Sequence, residues 1–217
     1  MDTMELEKLI KSYDGSEENY QILILELKQV LKVFISDWDH LQHISSNSYI
    51  HQLGFEKYTI YNSVLGKTIR LHFWPGSKAY KDDIHSHCAS FKSVILNGSI
   101  KQNTFELTDG KNQKKYLYFF DPISSSNKAK LMGLTGSKIK DTCTYTKKEF
   151  YNQKYNSLHQ VIETNENTLT ISIWDKKENP AMVLKELSSE AQDCTCTISL
   201  SEQFIVERFQ LFLELLK

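Results

Sequence analysis

From Glu56 to Trp174 the chain is a series of short runs rich in β-branched and aromatic residues, with no amphipathic helical pattern between them. The runs fall at 56–62, 67–74, 90–96, 99–107, 114–120, 141–146, 158–163 and 168–174. Turn signals separate them: Leu65-Gly66-Lys67, Pro75-Gly76-Ser77, Asn97-Gly98, Asp109-Gly110-Lys111 and Asn165-Glu166-Asn167. Eight short strands without crossover helices predict a mainly β fold, an antiparallel barrel or double sheet rather than βαβ units.

Helical patterns flank this region on both sides. Residues 3–36 read as helix broken once at Asp14-Gly15-Ser16, where Ser16 caps the second segment and Glu17 and Glu18 occupy its first turn. Ile22, Leu23, Leu27, Val30, Leu31 and Phe34 then form an apolar stripe that is expected to lie against the body of the protein. Near the end, Ser199 and Glu202 read as a capping box for a helix burying Ile205, Phe209, Phe212, Leu213 and Leu216. The implied division is a helical extension over 1–45, a barrel over 46–182, and a C-terminal segment over 183–217 ending in a helix. Ser124-Ser125-Ser126-Asn127-Lys128 is the most loop-like insertion, and Lys147-Lys148-Glu149 reads as a solvated turn.

Twenty-six basic against 27 acidic side chains leave a net charge of -1, so no global field draws the chain to nucleic acid or an anionic membrane. A small molecule or another protein is the expected partner. The apolar stretches are shorter than a bilayer span and the start of the chain lacks a secretory pattern, which predicts a soluble, cytoplasmic protein. Cys88, Cys143, Cys194 and Cys196 are too few and too irregular for a disulfide framework, and Cys194-x-Cys196 reads as strand alternation near the surface. Edge strands or the stripe at 22–34 offer a surface for a homodimer, although the same stripe fits against the barrel's own edge.

Chemistry concentrates in Asp82-Asp83-Ile84-His85-Ser86-His87. On an extended segment residues i and i+2 point to one side, so His85 and His87 project two imidazoles into one space. Imidazole suits Fe, Zn, Ni and Cu, and two rings leave coordination positions for a further ligand. His159, which opens a distant strand, is the candidate third. On the strand 67–74, Arg70, His72 and Trp74 share one face and Leu71 and Phe73 the other; alternation does not settle which face meets the cavity. With the polar face inward, Arg70 can grip a carboxylate bidentately and His72 can act as acid, base or extra ligand. Tyr116, Tyr118, Tyr145 and Trp174 are strand aromatics that either line a pocket or fill the barrel. Asp82 and Asp83 either orient a metal histidine through its second nitrogen or sit in a solvated turn.

The spacing of His85-Ser86-His87, Phe91 and Gly98 resembles the first motif of the cupin superfamily. The stretch from Tyr151 to His159 looks like its second motif without the usual Gly and Pro. The likeness covers about residues 56–180 and implies a double-stranded β-barrel with a metal centre. Phe91 stands where many cupins carry a glutamate ligand, so the site resembles the three-histidine type found in thiol dioxygenases such as the cysteine dioxygenase family. Ile84 to His87, Leu158 to Val161 and the alternating strand from Thr168 to Trp174 carry that likeness. The family's carboxylate-binding arginine falls here at Ile60 and its crosslinked tyrosine at Trp174, which disfavours cysteine itself.

The resemblance implies a metal-dependent cupin, foremost a mononuclear non-haem Fe(II) dioxygenase whose small thiol or amino-acid-like substrate chelates the metal beside dioxygen. Zn, Ni or Mn acting as a Lewis acid in isomerase, lyase or bond-forming chemistry is the alternative enzyme. A non-catalytic cupin that binds a ligand or a protein is the alternative of another class.

Overall fold

A computed structural model of the protein describes residues 3–51, 54–76, 78–79, 82–121, 126–191 and 200–217. Cys194, Cys196 and Ser199 lie outside the described residues. Three helices open the chain: α1 (Thr3–Ser12), α2 (Glu17–Ser36) and α3 (Trp38–Asn47). Strands then run as β1 (Tyr49–Ile50), β2 (Glu56–Asn62), β3 (Thr68–Trp74), β4 (Lys78–Ala79), β5 (Ile84–His85) and β6 (Phe91–Asn97). They continue as β7 (Ser99–Asp121), β8 (Ser126–Thr146), β9 (Phe150–Gln153), β10 (Leu158–Thr164), β11 (Thr168–Trp174) and β12 (Ala181–Glu186), before α4 (Glu202–Leu215).

The expected mainly β fold with helices at both termini is present. Two antiparallel six-stranded sheets carry it, ordered β1-β2-β3-β11-β6-β9 and β4-β10-β5-β12-β7-β8, with β7 also pairing β10. Gly98 connects the sheets. Asn97-Gly98 reads from sequence as a hairpin turn, but β6 and β7 belong to different sheets, so it is a corner. Its φ is 77°, and a Cβ there would stand 2.4 Å from Thr168 Oγ1 and 2.9 Å from Thr168 Cα, so only glycine fits.

Leu71, Phe73, Ile69, Val94, Leu96, Leu169 and Ile171 point from the first sheet into one large core shared with all four helices. Ser16 caps α2 as expected, its hydroxyl accepting from Asn19 N at 3.3 Å. The stripe differs by one residue: Ile22 is 43% exposed, whereas Tyr20, Leu23, Ile24, Leu27, Val30, Leu31 and Phe34 are buried. Helical geometry puts Ile24, not Ile22, on the face of Leu27 and Leu31. Because this face is buried within its own molecule, it is not a free surface for a partner. The apolar pattern does not reveal α3 as a separate helix; Asp37 caps it by accepting from His40 N at 3.1 Å. Ser201, rather than Ser199, caps α4, accepting from Phe204 N at 3.3 Å. Arg208 then clamps α4 to β2 through both oxygens of the buried Glu56, at 2.9 to 3.1 Å.

The two runs 99–107 and 114–120 are one continuous strand, β7, and the expected turn at Asp109-Gly110-Lys111 is a bulge within it. Thr108 pairs Gly136 and Gln113 pairs Thr135, so the residues between them loop out over Gly136. The run at 141–146 likewise belongs to β8, which begins at Ser126, inside the expected loop insertion. These strands form a long ribbon whose outer parts face solvent on both sides, where polar sequence carries no alternation to mark a strand. Among the described residues, no helix is long and apolar enough to cross a membrane.

Candidate metal centre

The short strand β5 is wedged between β10 and β12, which puts His85 opposite His159 on one side and Val183 on the other. Ser86 then locks the chain to β12: its amide donates to the Met182 carbonyl at 2.8 Å and its hydroxyl accepts from Met182 N at 3.0 Å. The His87 amide donates to the Tyr155 carbonyl at 3.1 Å. Fixed in this way, the rings of His85, His87 and His159 converge, with centroids 4.6 to 5.0 Å apart. One nitrogen from each lies within 4.8 Å of the others, and the Nε2 atoms of His87 and His159 are 2.8 Å apart. Two nitrogens bound at right angles to one ion at about 2.1 Å would stand about 3.0 Å apart, so this pair already has ligand spacing.

Two of the remaining ring nitrogens are spoken for. His159 Nδ1 donates to Gln102 Oε1 at 2.9 Å, and His85 Nδ1 donates to the Asp83 carbonyl at 2.9 Å with an Asp82 oxygen 3.4 Å away. Each such bond leaves Nε2 as the lone-pair nitrogen facing the cluster. Asp82 is buried rather than part of a solvated turn, and desolvation raises its pKa; the Asp83 carboxylate pairs with Lys185. Burial, reinforced by the neighbouring rings, holds the pKa of His87 well below the usual histidine value, and burial does the same for His159. His87 and His159 are therefore neutral nitrogen donors, and an all-imidazole cluster fits a borderline divalent transition metal better than magnesium or calcium.

The wall opposite the histidines comes from β3, β11 and β6. Arg70 is 6% exposed, and among the described residues its Nε has no hydrogen-bond partner. Its guanidinium stacks 4.2 Å over the Trp174 ring, and burial lowers its pKa to about 10. Trp174 in turn stacks on Phe91 at 4.0 Å, and both rings meet His87 edge-on at 5.1 Å. The His72 ring lies 6.3 Å from Trp174 and 5.4 Å from Phe55, its pKa held well down by burial and then by Arg70. The question alternation left open is thus answered: Arg70, His72 and Trp74 face inward, while Leu71 and Phe73 face the helices.

No family model matches the sequence, and no curated protein matches it. Among solved structures the chain is similar to Streptomyces PAC13 with uridine, at 8% identity over 65% of this chain and 86% of that one, with a TM-score of 0.36. It is also similar to a cupin-like protein from Thermotoga maritima, at 11% identity over 66% and 84%, TM-score 0.34. A third is hydroquinone 1,2-dioxygenase PnpCD in complex with Cd2+ and 4-hydroxybenzonitrile, at 9% identity over 63% and 71%, TM-score 0.34. Likenesses this distant carry no functional argument; the site stands on its own three rings.

Of the aromatics expected near the site, only Trp174 has a described contact with its rings. Tyr116 sits on the outer half of β7 opposite Val183 and gives its hydroxyl to Glu190, and Tyr118 lies farther along opposite Ala181. Tyr145 stacks on Tyr151 at 4.9 Å, next to the partner of His159 rather than next to the rings. Sequence reading misses Gln102, which is 2% exposed, and His51, whose ring stacks on Phe55 at 4.5 Å and whose pKa burial lowers to about 4. Gln102 carries a faint signal, since it alternates with Ile100 on a strand; His51 carries none, because it sits at the end of a polar stretch.

Proposed function

We propose that the protein is a metal-dependent enzyme of the cupin type, a mononuclear non-haem iron(II) dioxygenase acting in the cytoplasm on a small thiol or amino-acid-like anion that chelates the metal. The observation that carries this reading is the pairing of three converging imidazoles with a buried guanidinium whose Nε lacks a partner among the described residues. His85, His87 and His159 hold the ion. When bound there, ferrous iron supplies a Lewis-acid position for substrate and one for dioxygen.

The residues of the chain account for the rest. Arg70, kept planar against Trp174, offers its fork to the anionic end of the substrate, and low local polarity strengthens that pair. Its unpaired Nε is a buried donor without an acceptor, a situation a bound anion relieves. Phe91 and Trp174 keep water from His87. His72, neutral because it is buried beside a cation, is able to take a proton from the substrate once an anion offsets Arg70.

The test is oxygen uptake by protein loaded anaerobically with ferrous iron and offered a panel of thiols and amino acids. Uptake with at least one anionic member, lost in His85→Ala and shifted to at least tenfold higher KM in Arg70→Ala, is the expected result. No uptake with any member, together with tightly held zinc, nickel or manganese in natively purified protein, would overturn it in favour of Lewis-acid chemistry at the same ligands.

A further inference from the structure

His159 is the most enclosed of the three histidines, and a single side chain beyond it decides how its ring is held. Gln102 lies on β7 opposite Val161 on one side and Cys143 on the other. Its carbonyl oxygen accepts from His159 Nδ1 at 2.9 Å, and Tyr145 lies beside its side chain. The Tyr145 ring lies tilted against Tyr151, with centroids 4.9 Å apart. With its carbonyl oxygen turned to the ring, the Gln102 side chain offers His159 an acceptor at Nδ1. The contrast with His85 is direct: the Nδ1 acceptor there is a main-chain carbonyl that no side-chain substitution removes.

We infer that Gln102 is a positioning residue that fixes the His159 tautomer and thereby sets the metal affinity of the centre, with Tyr145 orienting Gln102 from behind. The inference rests on the metal-centre reading above. Loss of an outer-shell partner of a ligating histidine typically weakens metal binding by about 10- to 100-fold. The choice of glutamine is also informative. A carboxylate at this position would draw the ring proton toward itself and make the ring a more basic ligand, whereas a neutral amide fixes the ring and leaves the ion's full charge for the substrate.

The experiment titrates cobalt(II) into chelator-treated native protein, Gln102→Leu, Gln102→Glu and Tyr145→Phe, reading affinity by chelator competition and geometry by the visible absorption of the bound ion. In parallel, 15N NMR of the metal-free proteins reports which His159 nitrogen carries the proton. We expect Gln102→Leu to bind cobalt about 10- to 100-fold more weakly, with His159 losing its single tautomer, and Gln102→Glu to restore binding to native strength or better. Tyr145→Phe should weaken binding less than Gln102→Leu does. A purely structural role would lower thermal stability in Gln102→Leu while leaving cobalt affinity and tautomer unchanged, and that result overturns the inference. If Gln102→Leu does not fold, a Gln102→Glu protein with tenfold weaker cobalt binding overturns it as well. Native protein that takes up no cobalt at all would overturn the metal-centre reading, and the inference with it.

Discussion

Strand β11 in the helix-backed sheet is buried at every one of its seven positions, while β10 in the facing sheet mixes buried and half-exposed positions, and most of β8 lies open to water. The first sheet packs one face on four helices and lends Arg70, His72 and Trp174 from the other. The second sheet and the turn leaving β5 supply all three ligand histidines and Gln102, yet add little to the large core. Stability and metal chemistry are therefore housed mainly in different sheets, and the ligands sit on the side with less apolar packing to hold them. This arrangement makes hydrogen bonds such as Ser86 to Met182 and Gln102 to His159 carry the precision that packing supplies elsewhere.

Removing Phe209, which is fully buried against Tyr58 and Phe212, tests that division most severely. Phe209→Ala should cost about 3–5 kcal/mol in denaturant melts, as other large-to-small core substitutions do. Metal stoichiometry measured well below the melting point should stay at the native value. A loss of metal in parallel with the loss of stability would show that the two sheets act as one unit.

The converse substitution is His159→Ala. It removes a ligand rather than a supporting group, so metal affinity should fall by more than the roughly 100-fold that attends loss of an outer-shell partner. Elemental analysis after gel filtration checks this, and urea melts of the metal-free protein should shift far less than those of Phe209→Ala. Metal retained by His159→Ala at native stoichiometry would break the assignment of the centre.

Legibility in the sequence follows local pattern rather than the division between the sheets. Strands β2, β3, β6, β10 and β11 can be read to within a residue of their bounds, because apolar and β-branched residues run between clear turn signals. The three histidines are legible because an extended segment turns residues i and i+2 to one side, although His87 lies just past the end of β5, and because the likeness to cupin motifs joins that pair to His159. The features that stay hidden depend on contacts that no local pattern encodes. The bulge at 109–112 looks like a turn until Gly136 is seen beneath it, and Gln102 looks like any strand glutamine until β10 brings His159 across to it. His51 needs the aromatic stack with Phe55 to become a half-buried neutral ring.

That ring gives the comparison a pH dependence. His51 has a pKa of about 4 in the folded protein against about 6.5 for an ordinary histidine. Between those values the unfolded chain binds the extra proton, so stability is complete above about pH 6.5 and falls as pH drops toward 4. The slope is about 1.4 kcal/mol per pH unit for one such group. His72, shifted in the same direction, adds to the loss. Urea melts of metal-free protein at pH 7 and pH 5 should therefore differ, and His51→Phe, which keeps the stack without the titration, should remove about 2 kcal/mol of that difference. An unchanged pH slope in His51→Phe would mean that His51 is solvated in solution.

The smallest effect belongs to the ribbon. Lys138 and Glu106 face each other across β7 and β8 at 2.7 Å, but with side chains 65% and 49% exposed. Water screens the pair, and holding two long side chains in one geometry costs entropy, so a double-mutant cycle with Lys138→Ala and Glu106→Ala should return no measurable coupling. The same ribbon carries Leu131, Met132 and Leu134 at 45 to 52% exposure, which further separates it from the packed sheet. A clearly resolved coupling would mean that the ribbon is held as rigidly as the strands beside the helices, and the contrast between the two sheets would then lie in their chemistry alone.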